Sequence, residues 1–174
     1  MSFRFEFVKP TRGLESTRFS DDNFEEGGDY EYFVMYACDL LGRSDCEFHI
    51  GGFGVDDWGF DVSYDMSSFM EELPALIEGV VERRDVEMCL YPQGVERVLY
   101  FSSRGSVISI RCELANGESL PNSVEEVSRS GFIAMLRKLA KDFSESLVVV
   151  APRVAHEPPF EFWRNNVESA IPAS

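Results

Sequence analysis

Residues 86–114 read VEMCLYPQGVERVLYFSSRGSVISIRCEL, and this stretch decides the fold. Val86, Met88 and Leu90 alternate with Glu87 and Cys89, and Ile108, Ile110, Cys112 and Leu114 alternate with Ser109, Arg111 and Glu113. A period of two with one polar phase marks antiparallel strands buried on a single face. Pro92-Gln93-Gly94 and Ser102-Ser103-Arg104-Gly105 carry turn chemistry between the runs. Strands over 86–91, 95–101 and 107–114 therefore join in sequence, and Asn116-Gly117 marks the next tight turn.

Upstream, Met66, Phe69, Met70, Leu73, Leu76, Ile77, Val80 and Val81 recur at helical spacing and give one apolar face. Ser68 and Glu71 fit a capping box, with Asp65 a competing start. Pro74 either kinks this helix or sits in its first turn, with the regular part beginning near Leu73. Downstream, Ser123 and Glu126 form a cleaner capping box ahead of a stripe through Val124, Val127, Phe132, Met135, Leu136, Leu139 and Phe143. Residues 147–150 read as a short final strand, and the proline-punctuated segment 152–174 as an irregular arm held by Phe160, Phe162 and Trp163.

Towards the N-terminus, Phe3, Phe5 and Phe7 alternate with Ser2, Arg4 and Glu6, which predicts a strand. A polar loop follows over 11–31. Residues 30–40 are aromatic and β-branched enough for a second strand. Cys46, Phe48 and Ile50 alternate with polar neighbours for a third, and Trp58, Phe60, Val62 and Tyr64 for a fourth. The expected fold is α+β: an antiparallel β-sheet of six to eight strands with two amphipathic helices packed on it. The order of strands then helix, met twice, suggests a tandem βββα pseudo-repeat. A constant offset between Ser67, Phe69, Met70, Leu73, Leu76 and Ser130, Phe132, Ile133, Leu136, Leu139 agrees with it, although any two amphipathic helices can be slid into apolar register. Residues 1–174 are expected to form a single domain, with lobes at 1–84 and 85–151.

With 44% hydrophobic and 13% aromatic residues among 174, the chain can build a core. Its net charge of −15 repels nucleic-acid phosphates and anionic membranes, and favours a basic protein partner or plain solubility. MSFRFEFVKP is no secretory signal, and no apolar run reaches the roughly 20 residues of a spanning helix, so a cytoplasmic location is expected. Cys38, Cys46, Cys89 and Cys112 lack metal or redox spacing, and the first, second and fourth read as small hydrophobes.

The most suggestive loop, HIGGFGVDDWGFDV at 49–62, fails as a phosphate cradle. Its glycines lack dinucleotide spacing, a strand-like run follows where a helix is needed, and adjacent aspartates repel phosphate. It reads instead as a hairpin turn, with Trp58 and Phe60 inward and His49, Asp57 and Asp61 outward. In SDDNFEEGGDYEY, Asp21, Asn23 and Glu25 stand as alternate calcium ligands, but Glu26 falls where glycine is required and Tyr32 where glutamate is. His49 and His156 are isolated from zinc partners. No activated serine or cysteine signature exists, so no catalytic residue, metal or cofactor is expected.

What remains is surface. Glu47, Asp56, Asp57 and Asp61, joined by Asp21, Asp22, Glu25, Glu26, Asp29 and Glu31, are candidates for one negative partner-binding field, with Phe53 among its aromatic anchors. The run DMSSFMEELPALIEGVVERRDVEMCLYPQGVERVLYF at 65–101, with GSVISIRCEL at 105–114, resembles small acidic bacterial immunity proteins of polymorphic-toxin systems. The resemblance implies a cytosolic inhibitor that occupies a basic toxin, and it carries over no functional residues. The expectation is thus a non-enzymatic module binding a basic protein. The alternatives are a self-associating structural or regulatory domain (a homodimer) and, third, a hydrolase with acidic active-site residues.

Overall fold

The computed structural model describes residues 2–12, 24, 27–91, 96–116, 120 and 122–165. In chain order the elements are β1 (Arg4–Val8), α1 (Tyr30–Leu41), β2 (Glu47–Gly51), α2 (Asp65–Glu82), β3 (Val86–Leu90), β4 (Arg97–Arg104), β5 (Val107–Leu114), β6 (Val124–Ser128), α3 (Arg129–Val150), α4 (Pro152–Ala155) and α5 (Pro158–Asn165). The class is α+β. The strands divide into an antiparallel pair, β1-β2, and an antiparallel meander, β3-β4-β5-β6. The three strands of the deciding stretch pair in sequence, with Met88 opposite Leu99 and Phe101 opposite Ile110. However, Ser102, Ser103 and Arg104, read as turn, extend β4 opposite Ser109, Ile108 and Val107, and the turn is Gly105-Ser106.

One apolar cluster joins both sheets. Phe3, ahead of β1, packs its ring 6.3 Å from Phe101 of β4 and 6.3 Å from Phe132 of α3. Phe132 in turn stacks on Phe101 at 5.6 Å, which seats α3 over the meander. The approach of α2 to β3 needs a glycine: a Cβ on Gly79 would meet Val86 Cγ2 at 2.1 Å. No helix among the described residues is long and apolar enough to cross a membrane.

Several expectations are corrected. Residues 30–41 form a helix, not a strand. Phe33, Val34, Ala37, Cys38 and Leu41 are buried at three- and four-residue intervals while Met35 is exposed, so helical period outweighs β propensity. Asp29 starts this helix by accepting the Tyr32 N–H at 2.9 Å. Residues 58–64 form no strand either, because aspartates take the backbone groups a ladder would use. Asp57 accepts the Gly59 N–H at 2.8 Å, Asp61 accepts that of Tyr64 at 2.7 Å, and Asp65 accepts that of Asp61 at 3.0 Å.

α2 begins at Asp65, the competing start, and Ser68 is no cap: its hydroxyl donates to the Asp65 carbonyl. The helix continues through Pro74, which lies in its interior and not in its first turn. Proline has no N–H for the Met70 carbonyl, and the Tyr30 hydroxyl donates to that carbonyl instead, at 2.6 Å. At the far end of α2, Arg129 donates to the carbonyls of Val80 (3.0 Å) and Val81 (2.7 Å).

The second capping box lies five residues too early. Residues 124–128 are the edge strand β6, and Ser128 is the true N-cap of α3, accepting from the Gly131 N–H at 3.2 Å. The run 147–150 is the last turn of α3, and the segment read as an irregular arm holds α4 and α5, with Phe160 and Trp163 buried. Five helices, not two, stand among the described residues, with six strands. Strand and helix alternate in the first half while four strands precede a helix in the second, so the tandem βββα pseudo-repeat does not hold.

Candidate functional site

The candidate site is a ledge of carboxylates around His49. Alternation along β2 turns Phe48 and Ile50 into the core and leaves Glu47 and His49 exposed. Glu6 of β1 stands directly opposite His49. After β2 the chain reverses through Gly52–Val55, closed by Gly52 N–H to Val55 carbonyl (2.8 Å) and Val55 N–H to Gly52 carbonyl (3.0 Å). Phe53 (φ +59°) and Gly54 (φ +85°) both adopt left-handed backbone, as a two-residue type I′ turn demands. The returning chain stays beside β2 through the Trp58 N–H, which donates to the Ile50 carbonyl at 2.8 Å. That register places Asp57 next to His49.

The imidazole is held from both sides. Nδ1 lies 3.0 Å from Asp57 Oδ2, and Nε2 lies 3.0 Å from Glu47 Oε2. The Asp57 hydrogen bond is the chief reason that the His49 pKa rises above its ordinary 6.5; slight burial opposes it and Glu47 adds to it. Asp57 is held below the usual carboxylate range, first by the Gly59 N–H and then by His49. The ledge borders an open depression of about 390 Å³ lined by Glu47, His49, Asp57, Asp61 and Ser63. A second depression, of about 230 Å³, lies between Arg4, Glu6, Asp56 and Asp57.

The acids named from sequence are placed as follows. Glu47, Asp56, Asp57 and Asp61 are exposed and share the ledge. Asp29 and Glu31 stand at the N-terminus of α1, whose opposite end reaches Gly42 beside the ledge. Twelve helical residues separate those ends by about 18 Å, so these two acids belong to another part of the surface. There Glu31 and Glu71 both bear on Glu72, whose pKa is raised first by burial and then by these neighbours. Asp21, Asp22, Glu25 and Glu26, with most of the calcium-like run, lie outside the described residues. Phe53 offers no side-chain surface: it is fully buried against Phe3 and Trp58, and its N–H donates to Glu125 at 2.7 Å.

Chemically the ledge displays charge. A histidine with a carboxylate at each nitrogen favours the imidazolium, which has no lone pair with which to take a proton. The thiol that lines the depression, Cys46, is buried, donates to the Leu41 carbonyl at 3.0 Å, and burial pushes its pKa up. Among the described residues no three His, Cys, Asp or Glu side chains come together as a metal-binding group. No family model, curated protein or solved structure matches the chain.

Proposed function

We propose that this chain is a non-enzymatic protein-binding module, an immunity-like inhibitor that neutralises a basic protein toxin through the carboxylate ledge. The observation that carries the reading is the grouping of exposed Glu47, Asp56, Asp57 and Asp61 around His49, in a chain of net charge −15. Opposite fields steer encounter, and a ledge of one sign gives a basic partner both rate and register. With Phe53 buried, specificity rests on the charge and shape of the ledge rather than on an aromatic plug.

The test uses Glu47→Lys with Asp56→Lys, because Asp57 and Asp61 also hold backbone N–H groups. Basic proteins retained from the native host's lysate on the immobilised wild-type chain at low salt are identified and purified. Their association with wild type and variant is then followed by surface plasmon resonance, and their own activity is assayed with and without the chain. The variant is expected to associate about tenfold more slowly or worse, and wild-type association to weaken as salt rises. Equal rates for the two proteins, or binding strengthened by salt as apolar self-association is, would overturn the proposal.

A further inference from the structure

Arg97 opens β4 in the inward phase it shares with Leu99 and Phe101, opposite Leu114 of β5 and Leu90 of β3. Only 9% of its surface is exposed, and its Nε and Nη1 are buried without a hydrogen-bond partner among the described residues. The guanidinium carbon lies 4.3 Å over the Trp58 ring, and the Trp58 Nε1 is likewise buried and without a partner among the described residues. Four other arginines of the fold are satisfied: Arg43 by Asp39, Arg84 by Glu78 and Glu82, Arg111 by Glu113, Arg129 by helix carbonyls; Arg137 has a single unpartnered atom among the described residues, its Nε, where Arg97 has two.

An indole face attracts the cation but accepts nothing in the guanidinium plane, where the N–H groups point. Among the described residues the titratable group that bears on Arg97 is Cys112, whose sulfur also hydrogen-bonds the guanidinium; burial pushes that thiol's pKa up, so it supplies no counter-charge. A buried cation without a counter-ion is costly, most of all in a chain with carboxylates in such excess. We propose that Arg97 and Trp58 form an anion site, in which the guanidinium and indole N–H groups receive a carboxylate or phosphate oxygen of a small ligand. Arginine is the side chain suited to this, because its planar donors match such oxygens and its charge persists when buried. The site is independent of the acidic ledge, since Asp57 turns its carboxylate to His49 and Gly59.

The full chain, labelled with ¹⁵N, is titrated separately with inorganic phosphate and with acetate, ionic strength being held constant with sodium chloride. The indole N–H signal of Trp58 is expected to move saturably with one of the two anions, which identifies the oxygen group, while that of Trp163 stays still. Calorimetry should find affinity for that anion about 10- to 100-fold weaker in Arg97→Met, the loss expected when charged hydrogen bonds are removed. Trp58→Phe keeps the stack, loses the indole donor and should bind more weakly than wild type. If Arg97→Met does not fold, Arg97→Lys takes its place, keeping the charge and losing the planar donors. No saturable shift with either anion, or an equal shift in wild type and the Arg97 variant (an adventitious ion only), would overturn the site.

Discussion

Replacing Tyr30 by phenylalanine removes one oxygen and leaves the ring, with its edge contact to Trp163 at 6.2 Å, in place. The Met70 carbonyl is then left without a donor, because Pro74, four residues on, has no N–H to give it. An unsatisfied buried carbonyl costs about 1–3 kcal/mol, and Tyr30→Phe should lose that much. In a Pro74→Ala background residue 74 supplies its own N–H to Met70, so the same Tyr30→Phe change should cost under about 0.5 kcal/mol. Urea unfolding of the four proteins of this cycle, compared at equal m, measures the difference. A coupling indistinguishable from zero, with Tyr30→Phe costing the same in both backgrounds, would refute the claim that Tyr30 takes over the bond Pro74 lacks.

Arg129→Met should destabilise the fold by about 1.5–3 kcal/mol by stripping the α2 terminus of a charged donor, and urea unfolding reads this directly. His49 should titrate above 6.5 by NMR and fall back toward that value in Asp57→Asn, since the carboxylate is the chief cause of the shift. The stability that His49 contributes is therefore complete below 6.5 and disappears as pH rises through its raised pKa; thermal unfolding against pH follows this. The sign is opposite for Asp57: its contribution is present above 3.8 and is lost as pH falls through its lowered pKa. Above the pKa of His49 the ledge carries one more net negative charge, and association with a basic partner should speed up accordingly.

The strands of residues 86–114 were legible because one face is buried and the other wet, which writes a period of two into the sequence. Residues 30–41 satisfied two periods at once: Tyr30, Tyr32, Val34 and Tyr36 alternate, while Phe33, Ala37 and Leu41 recur every four. The deciding signal, Asp29 as cap, lay in view just ahead of the run. Val124 and Val127 fit a helical stripe as well as a strand, and only pairing with β5 resolves them. The tolerance of Pro74 was not legible, since its remedy comes from Tyr30, forty residues away. The ledge was legible in part: β2 alternation exposes Glu47 and His49, but the turn at Phe53 that returns Asp57 to His49 requires a bulky residue in left-handed backbone, which no local rule favours. Arg97 shares the inward phase of Leu99 and Phe101, and a charged residue on an apolar phase is a signal that sequence alone offers.

Asp57 and Asp61 each do two things at the ledge, and the two can be separated. Asp57 gives Oδ1 to the Gly59 N–H and Oδ2 to His49; Asp61 gives Oδ1 to the Tyr64 N–H ahead of α2. Asparagine keeps a carbonyl oxygen for the backbone N–H and removes the charge, whereas alanine removes both. Asp61→Asn should therefore retain near-wild-type stability, while Asp61→Ala should lose about 1 kcal/mol, as a missing cap does. If the ledge is the docking surface, both variants should slow association with the basic partner equally, because only the charge reaches across the encounter. If Asp61→Asn binds as wild type does and only Asp61→Ala is impaired, the aspartates are there to shape the entry to α2, and the docking surface lies elsewhere.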